Sequence, residues 1–168
     1  TQFDIQFAVN QTATVVGGSI IGAGAKRINS ETNLIPIEVL DDTSTGTTFN
    51  FTVNVGGTNY ASGNVGSVIL NTTQVIEVSY DGANIRAFVD GVIVWTQAVV
   101  GLWTCPTYAD ITVGTEMSHF PEGFINRSSF TGSIDSIRFS NIARNTSNYT
   151  PPTTKYTSDA NTVLLMNF

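Results

Sequence analysis

The chain has 168 residues, 41% of them hydrophobic and only 12% charged, with a net charge of -6. That length fits one domain with a sizeable core, and 7 Lys and Arg residues are too few to neutralise a phosphate backbone, which argues against a nucleic-acid partner. Charged residues fall well below the ~25% of ordinary globular chains. The surface must therefore be built from Thr, Asn, Ser, Gly and Gln, as suits an exterior structural protein or a sugar binder.

The first stretch, residues 1–9, puts Phe3, Ile5, Phe7 and Val9 on one face and Gln2, Asp4, Gln6 and Ala8 on the other, a strand with one covered face. The chain begins inside this strand and shows no signal peptide, so it fits a mature or trimmed product, or one domain of a longer polypeptide. Residues 15–21 read as a second strand broken by Gly17-Gly18, and residues 34–40 as a third, with Pro36 marking an edge or bulge. Phe49, Phe51, Val53 and Val55 alternate with Asn50, Thr52 and Asn54 in a fourth, and residues 58–64 form a loop or short hairpin holding Tyr60.

Residues 74–99 organise the rest. Ile76, Val78 and Tyr80 alternate with Glu77 and Ser79; Asp81-Gly82 and Asp90-Gly91 then separate this strand from two more, 85–89 and 92–95. Asp-Gly between apolar runs is a strong hairpin signal, because Gly takes a positive φ without steric conflict. Residues 108–113 are the next strand. Residues 115–129 are the longest irregular segment, 130–139 the closing strand, 141–158 a Thr/Asn/Pro-rich arm extended along the surface, and 161–168 a last strand placed beside the first. Short strands without helical periodicity predict an all-β, two-sheet antiparallel sandwich. Phe3, Phe7, Phe51, Ile76, Val78, Ile85, Val89, Ile134 and Leu165 are its predicted core. No apolar run approaches the ~20 residues of a membrane span, and Cys105, the single cysteine, reads as a small buried hydrophobe.

The sequence YDGANIRAFVDGVIV, residues 80–94, resembles the central double hairpin of laminin-G-like jelly rolls in the concanavalin A-like superfamily. Residues 3–9 (FDIQFAV), 111–114 (ITVG) and 130–139 (FTGSIDSIRF) resemble, in order, the family's opening strand, the strand before its variable loop and its closing strand, with Ala8 where an aromatic residue is common. The resemblance implies one jelly-roll domain over 1–168, with an arm at 141–160 returning to a last strand at 161–168. It implies function only loosely, since this architecture hosts lectins, adhesion modules and glycosidases. The end of the chain, SNYTPPTTKYTSDANTVLLMNF, is similar to the ends of laminin-G-like modules in bacteriophage structural proteins. Thr150, Pro151, Pro152, Asp159, Asn161, Thr162, Leu164, Leu165 and Phe168 match, and Tyr156 stands where a Phe is expected.

Catalysis finds little support. Glu38 and Asp41, three apart, fall on opposite faces of a regular strand; Glu38 and Asp42 share a face but stand roughly 13 Å apart at strand rise. That exceeds the ~5–9.5 Å of glycosidase pairs, although a turn at Asp41 would shorten it. The cluster reads as solvated acids running into a turn. Glu116 and Glu122 lie in the irregular segment at undetermined spacing, and Cys105 with His119, the single histidine, makes a weak nucleophile–base pair. Asp81 and Asp90 are explained by their turns, and Asp135 reads as a structural acid pairing Arg86 or Arg138. Asp110 adds no spaced motif, so no metal and no cofactor are expected.

Sugar binding wants an aromatic face beside amides and acids. Trp103, Tyr108, His119, Phe120, Asn126 and Arg127 come from segments flanking the 108–113 strand and make the predicted ligand site. For Trp103, packing inside the sandwich is an equal alternative. The expectation is a non-catalytic carbohydrate- or surface-binding module on the exterior of a virion, in a bacteriophage tail or capsid-decorating protein. Its partners would be surface polysaccharide or other virion proteins, with a homo-oligomer allowed and no membrane insertion. The alternatives are a purely structural virion subunit and a glycoside hydrolase of the same superfamily.

Overall fold

The computed structural model describes residues 2–24, 37–41, 45–104, 110–114, 117–120, 123–126 and 129–168. All regular structure among them is β, in thirteen strands. They are β1 (Phe3–Gln11), β2 (Ser19–Gly24), β3 (Ile37–Asp41), β4 (Phe49–Val55), β5 (Thr58–Val65), β6 (Thr73–Tyr80), β7 (Asn84–Val89), β8 (Val92–Ala98), β9 (Asp110–Val113), β10 (Met117–Phe120), β11 (Gly123–Asn126), β12 (Gly132–Ser140) and β13 (Thr162–Met166). The chain divides into two compact units. Thr1–Thr12, Ile69–Trp103 and Gly132–Phe168 form the first, and Ala13–Val68 with Thr104–Thr131 the second.

The first unit is a six-stranded antiparallel sheet in the order β13-β12-β1-β6-β7-β8. Register builds its apolar face row by row: Phe3 faces Tyr80 and Ile85, Ile5 faces Val78 and Ala87, and Phe7 faces Ile76 and Val89. All nine are buried, and each large apolar side chain contributes about 1.5–3 kcal/mol. The expected hairpins join β6 to β7 and β7 to β8. In the second turn Asp90 and Gly91 both take positive φ, 51° and 75°, the primed geometry that matches strand twist. In the first, the Asp81 carboxylate accepts from the amides of Ala83 (2.9 Å) and Asn84 (2.7 Å).

The last strand does not lie beside the first. β13 pairs with β12, and β12 stands between it and β1. Leu165 faces Arg138 on the polar side of the sheet and is half-buried, so it leaves the predicted core. Ile134 is also only half-buried. A bulge opposite Phe7/Ala8 inserts Ser136, at φ 48°, and makes Ile137 and Phe139 the buried apolar residues of β12.

The second unit is a five-stranded sheet, β5-β4-β3-β2-β9, and a two-stranded ribbon, β10-β11. Its first strand begins after the glycines: Gly17 (φ 66°) makes a turn closed by the Gly18 amide on Val15 O at 3.0 Å. Residues 58–65 are a full strand. Within 115–129, expected to be irregular, β10 and β11 pair from Met117↔Asn126 to Phe120↔Gly123. The foot of this ribbon is held to β2 by the Gly114 amide on Ile20 O (2.8 Å), the Phe130 amide on Gly114 O (2.9 Å) and a Ser19–Ser129 bridge.

Candidate functional site

Strand alternation gives the five-stranded sheet two unlike faces. Ile21, Ile37, Val39, Phe49, Phe51 and Val53 lie on one and are fully buried. On the other, one row crosses all five strands: Thr112, Gly22, Glu38, Thr52 and Ala61 are successive register partners. Asn50, facing Asn64, and Asn54, facing Asn59, continue this face along β4. Gly22 leaves a gap without a side chain between Thr112 and Glu38; a Cβ there would lie 3.3 Å from Thr112 Oγ1, which donates to Gly22 O at 3.1 Å. Glu38 is 5% exposed, whereas Asn50, Thr52 and Thr112 are half-buried. Asn54 is already engaged, donating to Asn59 Oδ1 (2.6 Å) and accepting from Gly57 N (3.2 Å).

A carboxyl group beside hydroxyls and an amide is suited to polyhydroxylated ligands, because these groups match the paired donor and acceptor character of ligand hydroxyls. Sequence reading missed this row. Glu38 is not a solvated acid at a turn; it sits within β3 and is buried. Asp41 is buried too, on the opposite face across from Phe49, and Asp42 lies outside the described residues. The signal was the Asn50/Thr52/Asn54 alternation, but only register could add Thr112 and Gly22.

The polar face of the six-stranded sheet is occupied differently. Its rows run Ser140–Asp4–Ser79–Arg86 and Arg138–Gln6–Glu77–Phe88, and residues of the 141–160 arm close over them. Tyr149 packs edge-on against Phe88 (5.6 Å), and the Arg138 guanidinium stands 4.6 Å from the Tyr156 ring centre. Arg138 donates to Gln6 Oε1, Gln6 to Glu77 Oε2 (2.9 Å), and Asn145 to the same Glu77 oxygen (2.9 Å). Arg144 donates from its backbone to Asp4 Oδ2 (3.2 Å) and from its guanidinium to both Asp159 oxygens (2.8 Å each). Burial, then the adjacent Glu77 charge, holds the Asp4 carboxyl well above the usual range. Hydrogen bonding from Arg144 holds exposed Asp159 well below it.

The predicted ligand residues divide between the units. Trp103 belongs to the first, half-buried, its ring 4.4 Å from that of Phe3 at 36°; this is the packing role foreseen as its alternative. His119 and Phe120 lie on β10 and Asn126 on β11, where His119 faces Phe124 and Asn126 faces Met117. Tyr108 and Arg127, like Cys105, Glu116 and Glu122, lie outside the described residues. Asp135 pairs neither Arg86 nor Arg138: it faces Lys155 at 3.6 Å, Arg86 binds Asp81 at 2.5 Å, and Arg138 binds Gln6. Among the described residues, no three His, Cys, Asp or Glu side chains gather as a metal site.

Several solved structures share this fold. The sialidase carbohydrate-binding module CBM40 of Ruminococcus gnavus, bound to α2,3-sialyllactose, is 13% identical, with a TM-score of 0.64 over 86% of this chain and 78% of its own. A Bacteroides ovatus protein named for carbohydrate binding is 15% identical (TM-score 0.62, covering 86% of this chain). A SAP-like pentraxin of Limulus polyphemus is also 15% identical (TM-score 0.60, again 86%). The chain spans only 38% of the Bacteroides protein and 65% of the pentraxin. No curated protein matches the sequence. The Laminin_G_3 family model matches residues 8–148. With its two antiparallel sheets and all-β course, the chain therefore belongs to the Concanavalin A-like lectin/glucanases superfamily and has its jelly-roll fold.

Proposed function

We propose that this chain is a non-catalytic carbohydrate-binding module whose glycan hydroxyls are read by Glu38, Asn50, Thr52 and Thr112 on the polar face of the five-stranded sheet. The observation that carries the reading is the row Thr112–Gly22–Glu38–Thr52–Ala61, in which Glu38 on the central strand is flanked by Thr52 on one side and by side-chain-free Gly22 and then Thr112 on the other. The β10–β11 ribbon, with His119, Phe120 and Asn126, is tethered to the same sheet through Gly114 and Ser129 and forms a second contact element in this reading. Tyr108 and Arg127 complete that element as proposed contacts. Support comes from solved relatives that carry carbohydrate. Glu38 is the one carboxylate among the described side chains on this face, while glycosidases use two facing carboxyls; the other close pair, Asp4 and Glu77, is fully buried.

The setting we propose is the exterior of a virus particle, where the module would attach to surface polysaccharide. The resemblance of its closing arm to bacteriophage structural modules supports this. A purely structural subunit would bury residues 149–152 against neighbouring chains; here Tyr149 packs against Phe88 and Gly91 of its own chain.

A glycan array followed by calorimetry tests the reading. Glu38→Gln and Thr52→Ala should each weaken binding by about fivefold or more, the worth of a hydrogen bond of about 1 kcal/mol, without moving the unfolding midpoint much. Wild-type protein that ignores glycans and cells, or variants that bind as wild type does, would refute it. Loss confined to Asn126→Ala and His119→Ala would move the site to the ribbon.

A further inference from the structure

The acid pair under the arm is not needed for glycan binding, and its geometry is unusual. Asp4 and Glu77 are both 0% exposed and lie on adjacent strands, one row apart on the same face. Each carboxyl has one oxygen engaged by N–H donors: Asp4 Oδ2 by the Arg144 amide, and Glu77 Oε2 by Gln6 and Asn145. The other oxygen of each, Asp4 Oδ1 and Glu77 Oε1, is buried without a hydrogen bond inside 3.5 Å, and the equally unpaired Tyr149 hydroxyl stands near Glu77. Two ionised carboxylates side by side, each with a bare buried oxygen, are strongly disfavoured. A single proton turns one of these oxygens into a donor and satisfies the other.

Charge balance agrees. The groups facing the pair are Arg138 from β12 and Arg144, Tyr149, Tyr156 and Asp159 from the arm and its end. Three carboxyls (Asp4, Glu77, Asp159) against two guanidiniums (Arg138, Arg144) leave one negative charge in excess, and one proton cancels it. Burial also pushes both phenols upward, so neither tyrosine adds charge at neutral pH.

We propose that the buried Asp4 carboxyl keeps its proton at neutral pH and directs it toward Glu77, and that this proton fastens the 141–160 arm to the six-stranded sheet, so that alkaline pH loosens the arm. Two of the donors to the pair, the Arg144 amide and the Asn145 side chain, come from the arm itself. Loss of the proton leaves two adjacent charges that must be hydrated, and water reaches them only when the arm lifts. The sign follows from the raised Asp4 pKa. The contribution is complete below the ordinary 3.8 and is lost as pH rises through the folded value.

Hydrogen–deuterium exchange of the intact chain, corrected for intrinsic rates, tests this on peptides covering residues 141–160. Wild-type protection of the arm should fall by about tenfold or more between pH 6 and pH 9, tenfold being the effect of one pKa unit. Asp4→Asn, which keeps a donor facing Glu77 without a titrating proton, should show no such fall. Equal pH dependence in the two proteins would overturn the proposal. Carbon NMR titration of wild-type carboxyls keeps it testable if Asp4→Asn does not fold. An Asp4 signal still protonated at pH 6 supports it, and one titrating near 3.8 overturns it.

Discussion

Gly91→Ala should damage this protein far more than the same change at other turn glycines. Gly91 takes φ 75°, and a Cβ built there would overlap the carbonyl oxygen of Tyr149 and stand 2.9 Å from Pro151 Cδ. Gly82 has φ 97° but nothing within 4 Å of its Cβ position. Gly82→Ala therefore reports the left-handed backbone alone, about 1–2 kcal/mol. Gly91→Ala adds displacement of the arm. The Tyr149 amide bond to Gly91 O, 2.9 Å long, contributes about 0.5–1.5 kcal/mol, and the edge contact of Tyr149 with Phe88 about as much again. The expected loss is about 2–5 kcal/mol, some 1–3 more than for Gly82→Ala. Urea denaturation followed by circular dichroism measures both. Losses equal within about 0.5 kcal/mol would refute the view that the arm docks on this turn.

Trp103→Ala should lower stability by about 2 kcal/mol, below the ~3–5 of a fully buried aromatic, because the ring is half-buried on Phe3; a loss under ~0.5 kcal/mol by denaturation would free Trp103 for ligand contact. Asp159→Asn should flatten the acid limb of stability. The folded Asp159 pKa is depressed by Arg144, so its contribution is present above 3.8 and lost as pH falls; unfolding midpoints between pH 2 and 5 that coincide with wild type would contradict this.

The central hairpins were legible because their information is local. Asp81-Gly82 and Asp90-Gly91 name their own turns, and period-2 alternation in residues 3–9 and 76–80 names the buried face. What was not legible depended on pairing across the chain. Nothing near Leu165 says that it will face Arg138 rather than the core; that follows from β13 joining β12 and from the bulge at Ser136. Asp135 was read beside the arginines nearest in pattern, but the arm brings Lys155 to it. The acid pair Asp4–Glu77 was overlooked for the same reason. Its members are 73 positions apart and read, each alone, as the solvent side of a half-covered strand.

Both sheets alternate apolar and polar residues, yet their polar faces have opposite fates, and the difference lies in what each face contains. The six-stranded sheet presents Asp4, Gln6, Glu77 and Arg138, long or ionised groups that find partners in Arg144, Asn145 and Tyr156 of the arm. That face is consumed in holding the fold, and the Asp4 proton we propose is what allows two acids to remain there. The five-stranded sheet presents Gly22, Thr52, Ala61 and Thr112 around Glu38, the one acid among the described side chains of that face. Short side chains span little of the ~4.8 Å strand spacing: Thr112 spends its hydroxyl proton on Gly22 O and keeps its oxygen as an acceptor. In our proposal the row is therefore the recognition surface and the more heavily charged face the fastening one, so the binding variants belong at Glu38 and Thr52 and the stability variants at Gly91 and Asp4.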